Sequence, residues 1–297
     1  MRLKGIIAAA ATPLRADRSI DLDRLVAHCQ RLVALGCDGI NLLGTTGEAT
    51  SFSVAQREAA MRAVAKAVPL QKLMVGTGAA SLADAARLTS LARELGFAGA
   101  LLLPPFYYKG ITDDGLQAYV EALIETAGAE GLRLYLYHYP LLSGVPYPVE
   151  VVARLFAKYP AQLLGLKDSS GDMGYAEAMA RRCPGFDVFP STEAGFASPV
   201  AGLFAGCISA SVNVTASLVA EGRKDPAVLA QGVAIRNALA GVPLIPAIKW
   251  ALADLTGDET WRRIMPPLHP LNEDEIRKLG AALHETRYET LAPLFRR

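Results

Sequence analysis

Leu163-Leu164-Gly165-Leu166-Lys167-Asp168 is an apolar run of strand character that ends on a lysine, and the polar loop Ser169-Ser170-Gly171-Asp172 follows at once. An amphipathic stretch from Tyr175 to Cys183 comes next, then a second short apolar run, Asp187-Val188-Phe189. Strand, loop, helix and strand in this order read as one βαβ unit of a parallel sheet. The strands of such a sheet are covered by helices, which is why they are apolar throughout rather than alternating. An ammonium at the carboxyl end of a buried strand is desolvated, and a lysine held there as the neutral amine can attack a carbonyl. The same lysine is equally a charge that snorkels off a strand end or pairs with Asp168. The rest of the chain decides.

Working outward in both directions, the alternation continues. Strand-like runs cover Gly5 to Ala11, Gly39 to Leu43, Leu73 to Gly76, Gly99 to Leu103, Arg133 to Tyr137 and Gly206 to Ala210, besides the two already named. Between them lie helical patterns over Asp21 to Leu35, Ser53 to Ala67, Leu82 to Leu95, Asp114 to Ala127, Pro148 to Lys158, Tyr175 to Cys183 and Ala194 to Phe204. Ser53 and Ser81 sit where helix N-caps belong, Pro148 in a first helical turn, and Gly36 and Gly96 where helices stop. Eight strands with intervening helices predict a (β/α)8 barrel of the TIM type, more strands than most doubly wound sheets contain. Three further helical patterns, Ala227 to Ala240, Pro243 to Leu255 and Glu273 to Glu289, follow the eighth strand. The expected organisation is a barrel over residues 1–222 and a C-terminal helical extension over 223–297 packed on it, with no linker or low-complexity segment between.

The 30 Lys and Arg residues against 29 Asp and Glu leave a net charge of +1, so no long-range field recruits nucleic acid or an anionic membrane. Small molecules and further copies of the chain are the expected partners. The amino-terminal apolar run is too short for a signal peptide, so a cytoplasmic location is expected. The longest uncharged window, Ala194 to Ala220, carries Pro199, several glycines and serines and Asn213, and reads as core rather than as a membrane span. Cys29, Cys37, Cys183 and Cys207 are scattered, which predicts buried thiols and no disulfide framework. His28, His138, His269 and His284 have no metal-ligand spacing, and no metal or cofactor is expected.

Barrel chemistry collects at the carboxyl ends of the strands. Those positions hold Thr12-Pro13, Gly44-Thr45-Thr46-Gly47-Glu48, Pro104-Pro105-Phe106-Tyr107-Tyr108, Tyr137-His138-Tyr139-Pro140, Lys167, Ser191 and Glu193. An amine, phenols and hydroxyls suit Schiff-base chemistry on a carbonyl compound, whereas metal-activated chemistry would call for carboxylate and imidazole ligands. Each residue also has a plain structural reading: Tyr107 as loop packing, Thr45 and Thr46 as turn hydroxyls, Tyr137 as a core edge.

The motifs Gly44-Thr-Thr-Gly-Glu48, Phe106-Tyr-Tyr108, Tyr137-x-x-Pro140 and Gly165-x-Lys167, in this order and spacing, resemble the dihydrodipicolinate synthase and N-acetylneuraminate lyase family of class I pyruvate-dependent aldolases. The resemblance covers essentially the whole chain. It implies Lys167 as the imine-forming lysine, Tyr137 as the acid/base and Thr45 and Tyr107 as its hydroxyl relay, with the tyrosine supplied by a neighbouring subunit. Thr46 and the backbone near Ile208 would hold the substrate carboxylate. A homotetramer built as a dimer of dimers is implied in the same way.

Within that family the synthase branch places an arginine where this chain has Leu142, so the second-substrate carboxylate loses its grip. The run Tyr137 to Val145 looks instead like the sialic acid lyase and 2-keto-3-deoxy-sugar-acid aldolase branch. Ser169, Ser191 and Glu193 fall where that branch binds substrate hydroxyls, while Ala194 replaces a second acidic residue of the sialic acid lyases. The expected activity is cleavage or formation of a C–C bond between pyruvate and an aldehyde, on a 2-keto-3-deoxy sugar acid. The alternatives are the synthase, condensing pyruvate with aspartate semialdehyde, and a non-catalytic protein that binds 2-oxo acids. His138, where the family commonly has asparagine, reads as a hydrogen-bonded support or as a substrate contact. Lys249, in Pro246-Ala-Ile-Lys-Trp250, reads as a structural lysine whose stem covers apolar surface.

Overall fold

The computed structural model describes residues 2–194 and 201–296. Its strands are β1 (Gly5–Ala9), β2 (Gly39–Leu42), β3 (Leu73–Gly76), β4 (Gly99–Leu102), β5 (Leu134–His138), β6 (Leu163–Asp168), β7 (Asp187–Pro190) and β8 (Gly206–Ser209). They form one eight-stranded sheet in the order β7-β6-β5-β4-β3-β2-β1-β8. The α-helices among the described residues are α1 (Leu22–Ala34), α2 (Val54–Ala65), α3 (Leu82–Leu95), α4 (Asp113–Ala127), α5 (Pro140–Ser143), α6 (Val149–Lys158), α7 (Met173–Arg182), α8 (Val212–Glu221), α9 (Pro226–Ala240), α10 (Leu244–Thr256), α11 (Glu273–His284) and α12 (Ala292–Phe295). The architecture is the (β/α)8 barrel with helices after the last strand.

By density of contacts the chain divides into two compact units, Met1–Gly5 with Pro69–Ile208 and Ile6–Val68 with Ser209–Arg297. In the first, β3 to β7 pair in parallel succession. Tyr135 lies opposite Gly165, and Gly165 opposite Asp187; one step on, Tyr137 lies opposite Lys167, and Lys167 opposite Phe189. Period-two alternation therefore puts Tyr135, Tyr137, Gly165, Lys167, Asp187 and Phe189 on one face. The opposite face carries His138, whose ring stacks on Tyr175 of α7 at 3.9 Å, so α7 covers that side.

The glycines explain how a tyrosine fits beneath the lysine. A Cβ on Gly165 would lie 2.2 Å from the Asp187 carbonyl oxygen and 2.7 Å from the Tyr135 ring, and one on Gly99 would meet the same ring at 2.7 Å. Tyr135 thus occupies space that two glycines leave open, and its hydroxyl donates to Asp187, itself 3.6 Å from Arg2.

In the second unit, β1 and β2 pair in parallel, with Ala9 opposite Asn41. Its core includes Val214, Ile235, Leu239, Ile248, Leu252, Trp261, Leu279 and Phe295, contributed by α8 to α12 and the turn before α11. Asn213 at the start of α8 ties several chain segments together. Its Nδ2 donates to the Ala9 and Ala210 carbonyls, while its Oδ1 accepts from the Ala11 amide and from His28 Nε2.

The expected elements form with small shifts at their ends. Ser53 and Ser81 cap α2 and α3, and Gly96 closes α3 in the left-handed conformation. Pro148 is the residue before α6 rather than part of its first turn. The helix expected from Tyr175 begins earlier because Asp172 accepts from the Gly174 and Tyr175 amides as an N-cap. Of the helix expected over Ala194 to Phe204, residues 195–200 lie outside the described residues, and Ala201–Leu203 form one 3-10 turn. The single turn of α5 had no periodic signal; Pro140 starts it and Gly144, at φ 65°, ends it. Among the described residues no single helix is long and apolar enough to cross a membrane. The four cysteines are buried thiols.

Candidate active site

Lys167 Nζ donates to Tyr137 Oη at 3.2 Å and lies 4.2 Å from the centre of the Tyr137 ring. Both residues are almost wholly buried, at 4% and 3% exposure. The pairing is a direct consequence of register: adjacent parallel strands put the two side chains side by side on one face. Phe189, fully buried, is the β7 neighbour of Lys167 in the same ladder. Phe189 gives the amine an apolar wall on one side, and the Tyr137 phenol on the other is a group with which it can exchange a proton.

His138 leaves this face. Its Nδ1 accepts the Tyr147 amide at 3.0 Å, which puts the ring proton on Nε2, and burial pushes its pKa down to about 4. It is held neutral between Tyr147 and Tyr175 as a support for the chain beyond β5. The strand runs one residue further than Tyr137, so its pleat turns the histidine to the opposite face. Asp168, also on that opposite face, accepts the Ser170 amide at 2.9 Å, and burial raises its pKa.

The other expected residues of the first unit have varied settings. Ser169 is partly exposed, and its amide donates to the His138 carbonyl at 2.8 Å. Ser191 is partly exposed, Glu193 fully buried, and Ile208 buried within β8. Tyr107 stands 72% exposed, edge-on to Tyr108, itself 69% exposed. Lys109 donates to the carbonyls of Phe106 and, at 2.6 Å, of Ser143, and so staples the tyrosine loop to α5, where Leu141 and Leu142 are exposed. Sequence reasoning missed this staple, because an ammonium bonded to backbone carbonyls leaves no spacing signal.

Thr45 and Thr46 belong to the second unit, Thr45 partly exposed and Thr46 buried. They sit in a tight loop in which the Glu48 amide donates to the Thr45 carbonyl at 3.0 Å and Thr12 Oγ1 to the Gly47 carbonyl at 2.8 Å. The loop is flanked by two non-glycine residues in the left-handed region, Leu43 at φ 50° and Glu48 at φ 55°. Lys249 does not snorkel as its sequence context suggested. It is 1% exposed and ion-paired with Glu48, because a fully buried ammonium requires a counter-charge.

The model of the dihydrodipicolinate synthetase family matches residues 2–286. The chain belongs to that family. A DapA-like lyase of Chloroflexus aurantiacus is 33% identical over 94% of this chain and 95% of its own length. The N-acetylneuraminate lyase of Escherichia coli is 32% identical over 69% of this chain and 66% of its own. Among solved structures, the dihydrodipicolinate synthase of Agrobacterium tumefaciens superposes with a TM-score of 0.87 at 30% identity, over 95% of this chain and 99% of that one. Membership in the dihydrodipicolinate synthetase family makes the chain a carbon–carbon lyase.

Proposed function

We propose that this family member works through an imine between Lys167 and pyruvate, or the keto group of a longer 2-oxo acid. The observation that carries the reading is the buried contact of Lys167 Nζ with Tyr137 Oη at 3.2 Å. In the cleavage direction the neutral amine adds to the C2 carbonyl, the carbinolamine loses water, and an iminium forms. Tyr137 moves the protons on and off that adduct. A base then takes the proton of the C4 hydroxyl, the C3–C4 bond breaks, and its electron pair flows into the iminium as an enamine while the aldehyde departs. Protonation at C3 and hydrolysis of the imine release pyruvate.

The family motifs support the remaining roles: Thr45 and Tyr107 as the relay that returns protons to Tyr137, Thr46 and the backbone near Ile208 as the grip on the carboxylate. The exposure of Tyr107, Tyr108, Leu141 and Leu142 supports burial of that surface against another copy of the chain, in a homotetramer. Residues 223–297 are assigned to the extension beyond the barrel.

The substrate class rests on Leu142. A leucine that is 60% exposed offers no guanidinium fork to a carboxylate, so a polyhydroxy 2-oxo acid of the 2-keto-3-deoxy sugar acid type, with Ser169, Ser191 and Glu193 as hydroxyl partners, is the preferred substrate. The synthase reading has one observation in its favour: Lys109 brings an ammonium to the Ser143 carbonyl, one residue from Leu142. A panel of 2-keto-3-deoxy sugar acids assayed beside pyruvate plus aspartate semialdehyde separates the two. Turnover of the sugar acids is expected, and efficient condensation of the semialdehyde alone overturns the choice.

A further inference from the structure

Glu48 is 3% exposed, and its carboxylate reaches two segments that follow β8. It forms an ion pair with Lys249 of α10, with side-chain exposures of 0% and 1%, and its Oε2 accepts the Met265 amide at 2.7 Å. Lys249 Nζ also donates to the Arg263 carbonyl at 2.8 Å, and Ser51 Oγ to the Pro266 carbonyl at 3.4 Å. Burial lowers the Lys249 pKa while the Glu48 carboxylate acts to raise it.

A buried ion pair is a poor device for stability, because an apolar pair of similar volume commonly does as well or better. It is a good device for placement, since each charge tolerates only a narrow geometry around it. Glu48 needs such a hold: its backbone sits at φ 55°, ψ 31°, a region a side chain of its kind seldom adopts unless its surroundings impose it. In the imposed turn the Glu48 N–H donates to the Thr45 carbonyl and the Ala49 N–H to the Gly44 carbonyl.

We propose that the Glu48–Lys249 pair is a positioning device that fixes the Gly44–Ser51 loop, and through it the hydroxyls and amides of Thr45 and Thr46, for the carboxylate of the 2-oxo acid. The roles of the two threonines rest on the proposed function; the hold on the loop does not. The helices after β8 then contribute to substrate binding without touching substrate.

Glu48→Gln tests the pair, since a side-chain amide cannot accept both Met265 N–H and the Lys249 ammonium as the two carboxylate oxygens do. Hydrogen exchange across residues 44–51 is expected to quicken at least about tenfold while that of 163–168 stays unchanged. The KM for the 2-oxo acid is expected to rise about tenfold or more with a smaller change in kcat. Borohydride trapping on Lys167 at saturating pyruvate should persist. The double variant Glu48→Gln/Lys249→Met removes the lone buried ammonium and should regain thermal stability while keeping the raised KM and the faster exchange. Unchanged exchange across 44–51 in the single variant, or a double variant that recovers KM and exchange together with stability, overturns the inference. If the unaltered protein forms no imine with pyruvate, the assigned reaction falls, and the exchange measurement still decides the pair.

Discussion

Lys167 stands out in the sequence because it closes an apolar run, and strand ends are where a barrel gathers its chemistry; β6 itself carries on one residue further, to Asp168. Tyr137 stands out for the same reason; each is the last residue but one of its strand, and the β5–β6 register sets the two side by side. His138 was not legible in this way: whether it shares the lysine's face or opposes it depends on a single step of a period-two pattern. Tyr137→Phe, which keeps the ring and removes the hydroxyl at 3.2 Å from Nζ, is expected to lower kcat by at least about 100-fold. Its KM should change far less, and steady-state kinetics on the best substrate of the panel checks this. A kcat close to that of the unaltered protein would leave the phenol as a packing group.

At the scale of elements, the strands and long helices were readable because each satisfies one period over its whole length. The exceptions are short or held by distant partners. α5 is one turn long, too short for a 3.6-residue pattern to show; Pro140 and Gly144 bound it, and Lys109 pins its end from a distant loop. The Gly44–Ser51 loop was recognisable as a motif, yet the tether to α10 was not, because Glu48 and Lys249 are remote in the chain. The motif glycine Gly165 now has a physical reason, the Tyr135 ring and the Asp187 carbonyl packed against it. Gly165→Ala should therefore destabilise by about 3 kcal/mol or more, since a backbone oxygen cannot move aside as a flexible side chain can. Denaturant unfolding measures this, and a loss under about 1 kcal/mol would mean that β6 and β7 separate more easily than their ladder implies.

For the whole molecule, the sequence pattern reached the barrel and its family, and stopped short of the aldehyde partner, which depends on side-chain placement in loops. One global property follows from the buried histidines. His28, wholly buried with Nε2 bonded to Asn213, and His138 both have pKa values pushed down to about 4 from the ordinary 6.5 by desolvation. The unfolded chain therefore binds these protons at higher pH than the folded one. The stabilisation is fully present above about pH 6.5 and is lost as the pH falls toward 4, with His28 alone accounting for about 3 kcal/mol. Unfolding midpoints measured from pH 8 to pH 4 should decline most steeply in that window, and His28→Gln should flatten the decline.

The proposed reaction turns on Lys167 as the nucleophile. Incubation with pyruvate and borohydride, followed by peptide mass spectrometry, reads it directly. A reduced pyruvyl adduct is expected on the peptide carrying Lys167. An unmodified protein, or an adduct on Lys249 or any other lysine in place of Lys167, would contradict it.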